Sequence, residues 1–207
     1  MKRMIAIIDY GAGNLRSVVN AISTLGYEPK ITSRPADILR AQAVILPGVG
    51  AAADAMSSLK KLSLTELIKQ VIAGNKPFFG VCLGLQLLFT GTEEGGWCEC
   101  LDIFSGRVRR LPAGLKIPHM GWNQVKQKMA HPIFKGVPDN ANFYFVHSYY
   151  VDPDDGAFVA GETEYGIRFC SAVARGNLFA TQFHPEKSGE HGLKLYDNFL
   201  KLALKQG

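Results

Sequence analysis

Residues 77–89 read PFFGVCLGLQLLF, and the fold of this stretch decides how the rest of the chain is arranged. Residues 77–81 are a short apolar run entered from a proline, the pattern of a buried strand. From Leu83 onward, good helix formers carry an apolar face and predict a helix. Cys82 then falls on a sharp strand-to-helix turn. Gly80 and Gly84, two residues to either side, remove the Cβ atoms that so tight a turn would bring into collision. This is the cysteine form of the G-x-S-x-G nucleophile elbow. A thiol at a helix N-terminus is favoured as the thiolate by the dipole and by free N–H groups. The backbone N–H of Leu83 can meet a developing oxyanion. The competing reading is a small buried hydrophobe, a common fate of free cysteine. Glycines on both sides favour the reactive one.

Outward from the elbow, residues 4–9 (MIAIID) read as a buried parallel strand. They run into the glycine-rich turn Tyr10-Gly11-Ala12-Gly13-Asn14. A helical pattern follows through Leu15, Val18, Val19, Ile22 and Leu25, closed by Gly26. The turn is not a dinucleotide loop, because the third glycine of G-x-G-x-x-G would fall at Arg16. Residues 29–32 and 43–46 are further strands, and the latter ends in Pro47-Gly48-Val49-Gly50. Residues 51–59 and 64–72 are helical. This β-α-β-β-α-β order ahead of the elbow predicts an α/β fold, an open and mainly parallel central sheet with helices on both faces. Ligands in such sheets bind beyond the C-terminal strand ends, where both PGVG and Cys82 fall. A backbone N–H offered by PGVG would complement that of Leu83. A plain turn capping the next helix is the equal alternative.

Beyond Gly91 the texture changes. Short alternating runs at 105–111, 142–151, 158–162, 166–175 and 178–183 predict an antiparallel, strand-rich C-terminal half. Asp152-Pro153-Asp154-Asp155-Gly156 is a break, and Arg175-Gly176-Asn177 is a hairpin turn. With neither linker nor internal repeat, one domain spanning 1–207 is expected. The formal net charge of +5 is scattered. Its densest cluster, Arg107-Val108-Arg109-Arg110, reads as a solvated face, so nucleic acid is not an expected partner. No apolar run reaches the length of a membrane span. The basic start at Lys2 and Arg3 leads into an apolar run that ends at Asp9 without a small-residue cleavage site, so it reads as the first strand and not a leader. Four cysteines, one in an elbow, fit a reducing, cytoplasmic compartment. Cys98 and Cys100 lack a second ligand pair, so neither metal nor cofactor is expected.

Near the end stands Thr181-Gln182-Phe183-His184-Pro185-Glu186-Lys187-Ser188, followed by a helix over 192–204. His184 precedes a proline and is biased to extended backbone. There, Glu186 two residues on shares its side. A carboxylate beside an imidazole fixes its tautomer and prepares it as a base. His119, His131, His147 and His191 have no carboxylate at that spacing. With an elbow cysteine elsewhere, a Cys82–His184–Glu186 triad is the reading.

These motifs carry a resemblance. GVCLG with Gln86, the preceding PGVG and QFHPEKS resemble the class I, triad-type glutamine amidotransferases. DYGAGNLRSV at 9–18, PHMGWN at 118–123 and YFVHSYY at 144–150 are similar to the branch that serves imidazole glycerol phosphate synthase. One departure is Ala51-Ala52-Ala53, where members carry an aromatic soon after PGVG. The resemblance implies Cys82 as nucleophile, His184 as proton carrier and Glu186 as its orienter. It implies Val49 and Leu83 as oxyanion donors with Gly48 as the flexible peptide, and Gly50, Gln86, Ser148 and Tyr149 around a bound glutamine. It implies a partner cyclase subunit, a (β/α)₈ barrel, that receives the ammonia in a heterodimer. Asn14, Met120, Trp122, Asn123, Tyr144 and Lys187 would lie at the interface or its gate. An apolar PHMGWN loop suits an interface, though core packing of Met120 and Trp122 would also explain it. The alternatives are a glutaminase for another acceptor (anthranilate or pyridoxal phosphate synthesis), a cysteine peptidase of similar fold, or a non-catalytic binding subunit.

Overall fold

The computed structural model describes residues 4–11 and 13–205. The basic start, residues 1–3, and Ala12 of the first turn lie outside them. The parallel frame forms from the apolar runs: β1 (Met4–Ile8), β2 (Glu28–Thr32), β3 (Ala43–Leu46) and β4 (Phe78–Val81). They lie side by side in the order β2-β1-β3-β4, all parallel. The next strand in space is the last in sequence, β13 (Leu178–Thr181), also parallel to β4. Beyond it the sheet turns antiparallel through β12 (Arg168–Arg175), β10 (Tyr149–Pro153) and β7 (Phe104–Arg110). The hairpin turn at Gly176-Asn177 forms as its residues require, joining Arg175 to Leu178 in register with Gly176 at φ +58°.

Alternation along the central strands divides the core in two. Ile5, Ile7, Ile45 and Phe79 face α1 (Leu15–Thr24) and α6 (Gly189–Lys205), where Val18, Ile22, Tyr196 and Phe199 are buried. Ala6, Ile8, Val44, Leu46 and Phe78 face α2 (Pro35–Arg40), α3 (Ala52–Lys61) and α4 (Thr65–Ala73). Period-2 strands buried on both faces read as continuous apolar runs, which is why they are legible. Helices therefore cover both faces, as the sequence predicts. The departure at Ala51-Ala52-Ala53 does not prevent α3, which starts at Ala52 with that residue fully buried.

Four expectations need correction. Helix α2 has no counterpart among the expected elements, because six residues are too few to show a helical period. The helix after Cys82 is a single turn, α5 (Leu83–Gln86), and Phe89 already belongs to β5 (Phe89–Thr92). Leu87, Leu88 and Phe89 are all fully buried. An apolar run buried all round fits helix or strand equally; Leu87 and Leu88 form a turn, and from Phe89 pairing with β7 and with β6 (Cys98–Glu99) decides for strand. PHMGWN is not a loop: β8 (His119–Gln127) pairs antiparallel with β9 (Ala141–His147), His119 opposite His147 and Trp122 opposite Tyr144. The run at 142–151 is broken at Ser148, because β9 joins β8 while β10 joins β7. The remaining strand, β11 (Val159–Glu164), ties β8 to β12.

Elbow glycines are required by close approach. A Cβ on Gly84 would overlap the carbonyl oxygen of Leu46, and one on Gly80 would stand 2.9 Å from the carbonyl oxygen of Gly84. Gly84→Ala is expected to cost about 3 kcal/mol through forced separation of α5 from β3. Gly156→Ala, where a Cβ meets nothing within 4 Å, should stay within about 0.5 kcal/mol of the parent. Urea unfolding of the two variants checks the contrast.

Candidate active site

Cys82 follows the last residue of β4, and Gln182 follows the last residue of β13. The parallel register sets Val81 opposite Thr181, and the Cys82 N–H donates to the Thr181 carbonyl at 2.7 Å. Cys82 has φ 53° and ψ −106°, a conformation costly for any residue with a Cβ. Its own carbonyl accepts from the N–H groups of Leu85 and Gln86. Strain of this kind aims the side chain away from the sheet at a strand-to-helix turn. As the first residue of α5, Leu83 carries an N–H with no intrahelical acceptor.

His184 lies two residues beyond Gln182. Its N–H donates to the Tyr144 carbonyl at 2.9 Å, and its own carbonyl accepts from the Ser188 hydroxyl at 2.6 Å. Glu186 meets it, though not through extended backbone. Pro185–Lys187 form a 3-10 turn, and that turn brings Glu186 Oε1 to 2.8 Å from His184 Nδ1. The Asn14 amide also donates to Oε1, at 2.8 Å, and the Tyr196 hydroxyl donates to Oε2, at 3.3 Å. Both triad side chains are almost wholly buried. With Nδ1 committed to Glu186, Nε2 is the remaining ring nitrogen, and the ring's other polar neighbour is the Cys82 sulfur. Burial works against charge on this ring, but the adjacent Cys82 sulfur and the Glu186 carboxylate outweigh it and raise its pKa to about 10.

A cavity of about 280 Å³ opens beside the sulfur. It is lined by Cys82, Leu83, Val49, Gly50, Gln86, Ser148 and Tyr149, so the sequence-predicted substrate and oxyanion residues come together. Gly48 lies beneath them, where a Cβ would meet the Tyr10 hydroxyl and Leu83. Gly50 adopts φ +94°, a backbone that L side chains rarely adopt. The Gln86 amide donates to the Tyr149 carbonyl at 3.0 Å and to Gln182 Oε1 at 3.2 Å. Of the six interface candidates, four form one outward patch. Met120 and Trp122 are mostly exposed, at 61% and 58%. Trp122 meets Tyr144 edge-on, with ring centroids 6.2 Å apart, and Lys187 Nζ lies 5.8 Å over the Tyr144 ring. The other two, Asn14 and Asn123, turn inward, to Glu186 and to His119.

The family model of class-I glutamine amidotransferases matches residues 6–203. The chain belongs to the class-I glutamine amidotransferase family. Among its relatives in that family is the imidazole glycerol phosphate synthase subunit HisH of Dehalococcoides mccartyi (strain CBDB1), 58% identical over 97% of this chain and 98% of the relative. The subunit of the same name from Moorella thermoacetica is 52% identical over 99% and 98%. The fold matches that of PurLQS from Thermotoga maritima, with TM-score 0.74 at 19% identity over 98% of this chain and 99% of that one. A glutamine amidotransferase from the same organism matches at TM-score 0.68 and 18% identity, over 100% and 85%.

Some parts of this amidotransferase site are not legible in the sequence. Glu94 and His147 line the same cavity. Glu94 also accepts from the Ala52 N–H at 2.9 Å. Tyr10 donates to the Pro47 carbonyl at 3.0 Å and so holds the start of PGVG. Burial and the nearby sulfur keep its phenol protonated. Glu94 lies in no motif, and the motifs that contain Tyr10 and His147 do not single these side chains out, because they reach the site from separate elements. The Cys98–Cys100 pair lies at a sheet edge with both thiols free. Arg109 and Arg107 of the basic cluster project outward to Asp152, at 3.0 Å, and to Glu93, at 3.7 Å.

Two further histidines behave oppositely to His184. Burial lowers the pKa of His119 to about 4. Burial, with His119 and His184 nearby, lowers that of His147 to about 3. From their ordinary value of 6.5 down to about 4, the unfolded chain takes up protons on these rings while the folded chain does not. The stability they contribute is present above pH 6.5 and is lost as the pH falls through that window. The thermal midpoint should therefore drop between pH 7 and pH 4, and His147→Gln should flatten part of that slope. Calorimetry across the window checks both.

Proposed function

We propose that the chain, residues 1–207 acting as one glutaminase domain, hydrolyses L-glutamine to glutamate and ammonia and passes the ammonia to a partner cyclase subunit. The observation that carries this reading is the meeting of Cys82 with a buried His184–Glu186 pair beside a substrate-sized cavity. Cys82 as the thiolate attacks the side-chain amide carbon of glutamine. The C–N bond breaks as His184 delivers its proton to the departing ammonia, leaving a glutamyl thioester. Water, giving its proton to His184, then attacks the same carbon, and the C–S bond breaks to release glutamate and the thiolate. Val49 and Leu83 supply the N–H groups for the oxyanion, with Gly48 giving the first of these peptides its freedom. Gly50, Gln86, Ser148 and Tyr149 surround the glutamine. Both amide protons of Gln86 are already used, which leaves its oxygen to accept from substrate. The Glu94 carboxylate suits the substrate's ammonium group.

Likeness to imidazole glycerol phosphate synthase subunits supports the partner. That partner is a (β/α)₈ barrel that uses the ammonia on a phosphoribosyl-formimino carboxamide nucleotide in histidine biosynthesis. It gives imidazole glycerol phosphate and aminoimidazole carboxamide ribotide. Met120, Trp122, Tyr144 and Lys187 form the docking face, since exposed aromatic and methionine side chains beside a cation are typical of interface centres. The backbone of Tyr144 bonds both to His184 and to Ser188, so a strand of that face holds the segment that carries His184 and Glu186. Asn14 and Asn123 act from behind that face. Among the described residues no helix is long and apolar enough to cross a membrane. Four free thiols support a cytoplasmic setting.

Cys82→Ala should lower glutamine-dependent synthesis by the complex at least about 1,000-fold and leave ammonia-dependent synthesis intact. Loss of both activities would refute the role given to the thiol. Glutamine turnover should rise on the order of 10-fold to 100-fold when the nucleotide-loaded cyclase is added. Equal rates with and without it would remove the proposed coupling.

A further inference from the structure

A run of hydrogen-bonded polar groups, side chains joined through one backbone carbonyl, leads from β8 to the sulfur. The Asn123 amide nitrogen stands 3.2 Å from His119 Nε2 and 2.9 Å from the Glu164 carbonyl. His119 Nδ1 is 2.9 Å from His147 Nε2, and His147 Nδ1 is 2.8 Å from the Tyr149 carbonyl. That carbonyl also accepts from the Gln86 amide at 3.0 Å. Gln86 in turn bonds Gln182 Oε1 at 3.2 Å, and Gln182 Nε2 stands 3.6 Å from Cys82 Sγ. His119, His147, Gln86 and Gln182 are all buried, the last fully.

One carbonyl fixes the direction of every bond in the run. A carbonyl only accepts, so His147 must carry its proton on Nδ1 and Gln86 must present its NH₂. On one side, neutral His147 then accepts at Nε2 from the Nδ1–H of His119, whose Nε2 accepts from Asn123. The backbone N–H of Gln124 donates to Asn123 Oδ1 at 2.8 Å, which agrees with that amide's orientation. On the other side, Gln86 donates to the oxygen of Gln182. Gln182 is thereby forced to turn its NH₂ toward the sulfur. The low pKa values of both imidazoles agree with neutral rings.

We propose that Gln182 is a positioning residue for the nucleophile, its amide N–H locked onto the Cys82 sulfur by this hydrogen-bonded run anchored at the Tyr149 carbonyl. A donor aimed at sulfur stabilises the thiolate and holds it toward the cavity. The inference deepens the glutaminase reading and rests on it for its catalytic meaning.

Gln182→Met keeps the side-chain length but removes the donor, and Gln182→Glu puts an acceptor in its place. The full-length protein, without glutamine, is alkylated with iodoacetamide from pH 5 to pH 10, and modification at Cys82 is followed by peptide mass spectrometry. Both variants should move the midpoint of Cys82 alkylation upward, by about one pH unit for Met and further for Glu. In the complex, kcat for glutamine should fall about 10-fold with KM within about threefold. An unchanged alkylation midpoint in either folded variant, or a change confined to KM, overturns the proposal. Should neither variant fold, ¹⁵N spectra of the histidine rings in the parent protein decide. Both His119 and His147 are expected as neutral Nδ1–H tautomers, and either ring found as Nε2–H overturns the run. A chain that alkylates as expected yet hydrolyses no glutamine would sink the glutaminase reading and leave Gln182 in its place.

Discussion

The site depends on one pairing, that of β4 with β13. These strands lie about one hundred residues apart in sequence, as the separation of Cys82 from Gln182 shows, yet they run parallel in matched register from Phe78–Leu178 to Val81–Thr181. Parallel partners end at the same level, so whatever follows each strand is delivered to the same edge of the sheet. After β4 comes the strained cysteine. After β13 come Gln182 and then His184. Closing so long a loop is entropically expensive, and the compensation is a fully buried apolar run on both strands, Phe78 and Phe79 on one and Phe179 and Ala180 on the other. The ring of Phe79 packs edge-on against both Phe179 and Phe199, so the same contact fastens α6 to the sheet.

Around this edge the protein holds three imidazoles in two protonation states. His184 is surrounded by a carboxylate and a sulfur and keeps its proton. His119 and His147 are buried too but face each other, an amide and a carbonyl, and the Tyr149 carbonyl offsets only part of the cost of charge on His147. Environments that push like groups apart assign their roles. Neutral neighbours leave the proton on His184 uncontested. The buried Glu186 carboxylate meets three partners, the His184 ring and the Asn14 and Tyr196 side chains, as a buried carboxylate requires if its lone pairs are to be satisfied.

Much of this is legible in the chain because the informative features are local. The parallel strands announce themselves as unbroken apolar runs, the elbow by Gly80 and Gly84, and the His184–Glu186 pair by its spacing. The spacing leads to the right pair by the wrong backbone, because Pro185 starts a 3-10 turn instead of continuing an extended segment. What cannot be read is what only tertiary pairing decides. Leu87–Phe89 carry no periodicity that separates strand from helix. Residues 118–123 mix proline, glycine and aromatics as a loop would, and from His119 they become strand because β9 supplies a ladder. Tyr10, His147 and Gln182 lie inside motifs that mark the neighbourhood but not these side chains, and Glu94 reaches the cavity from a stretch with no motif at all.

The backbone of Tyr144 has a consequence of its own. Its carbonyl holds the His184 amide and its amide holds Ser188, while its ring lies on the outer surface beside Trp122 and Lys187. A molecule gripping that ring takes hold of a short lever whose far arm is His184, the residue proposed to carry the proton. Replacement of one associating protein by another over evolutionary time would then retune the chemistry along with the recognition. Surface drift at this spot is constrained from the inside as well as from the outside.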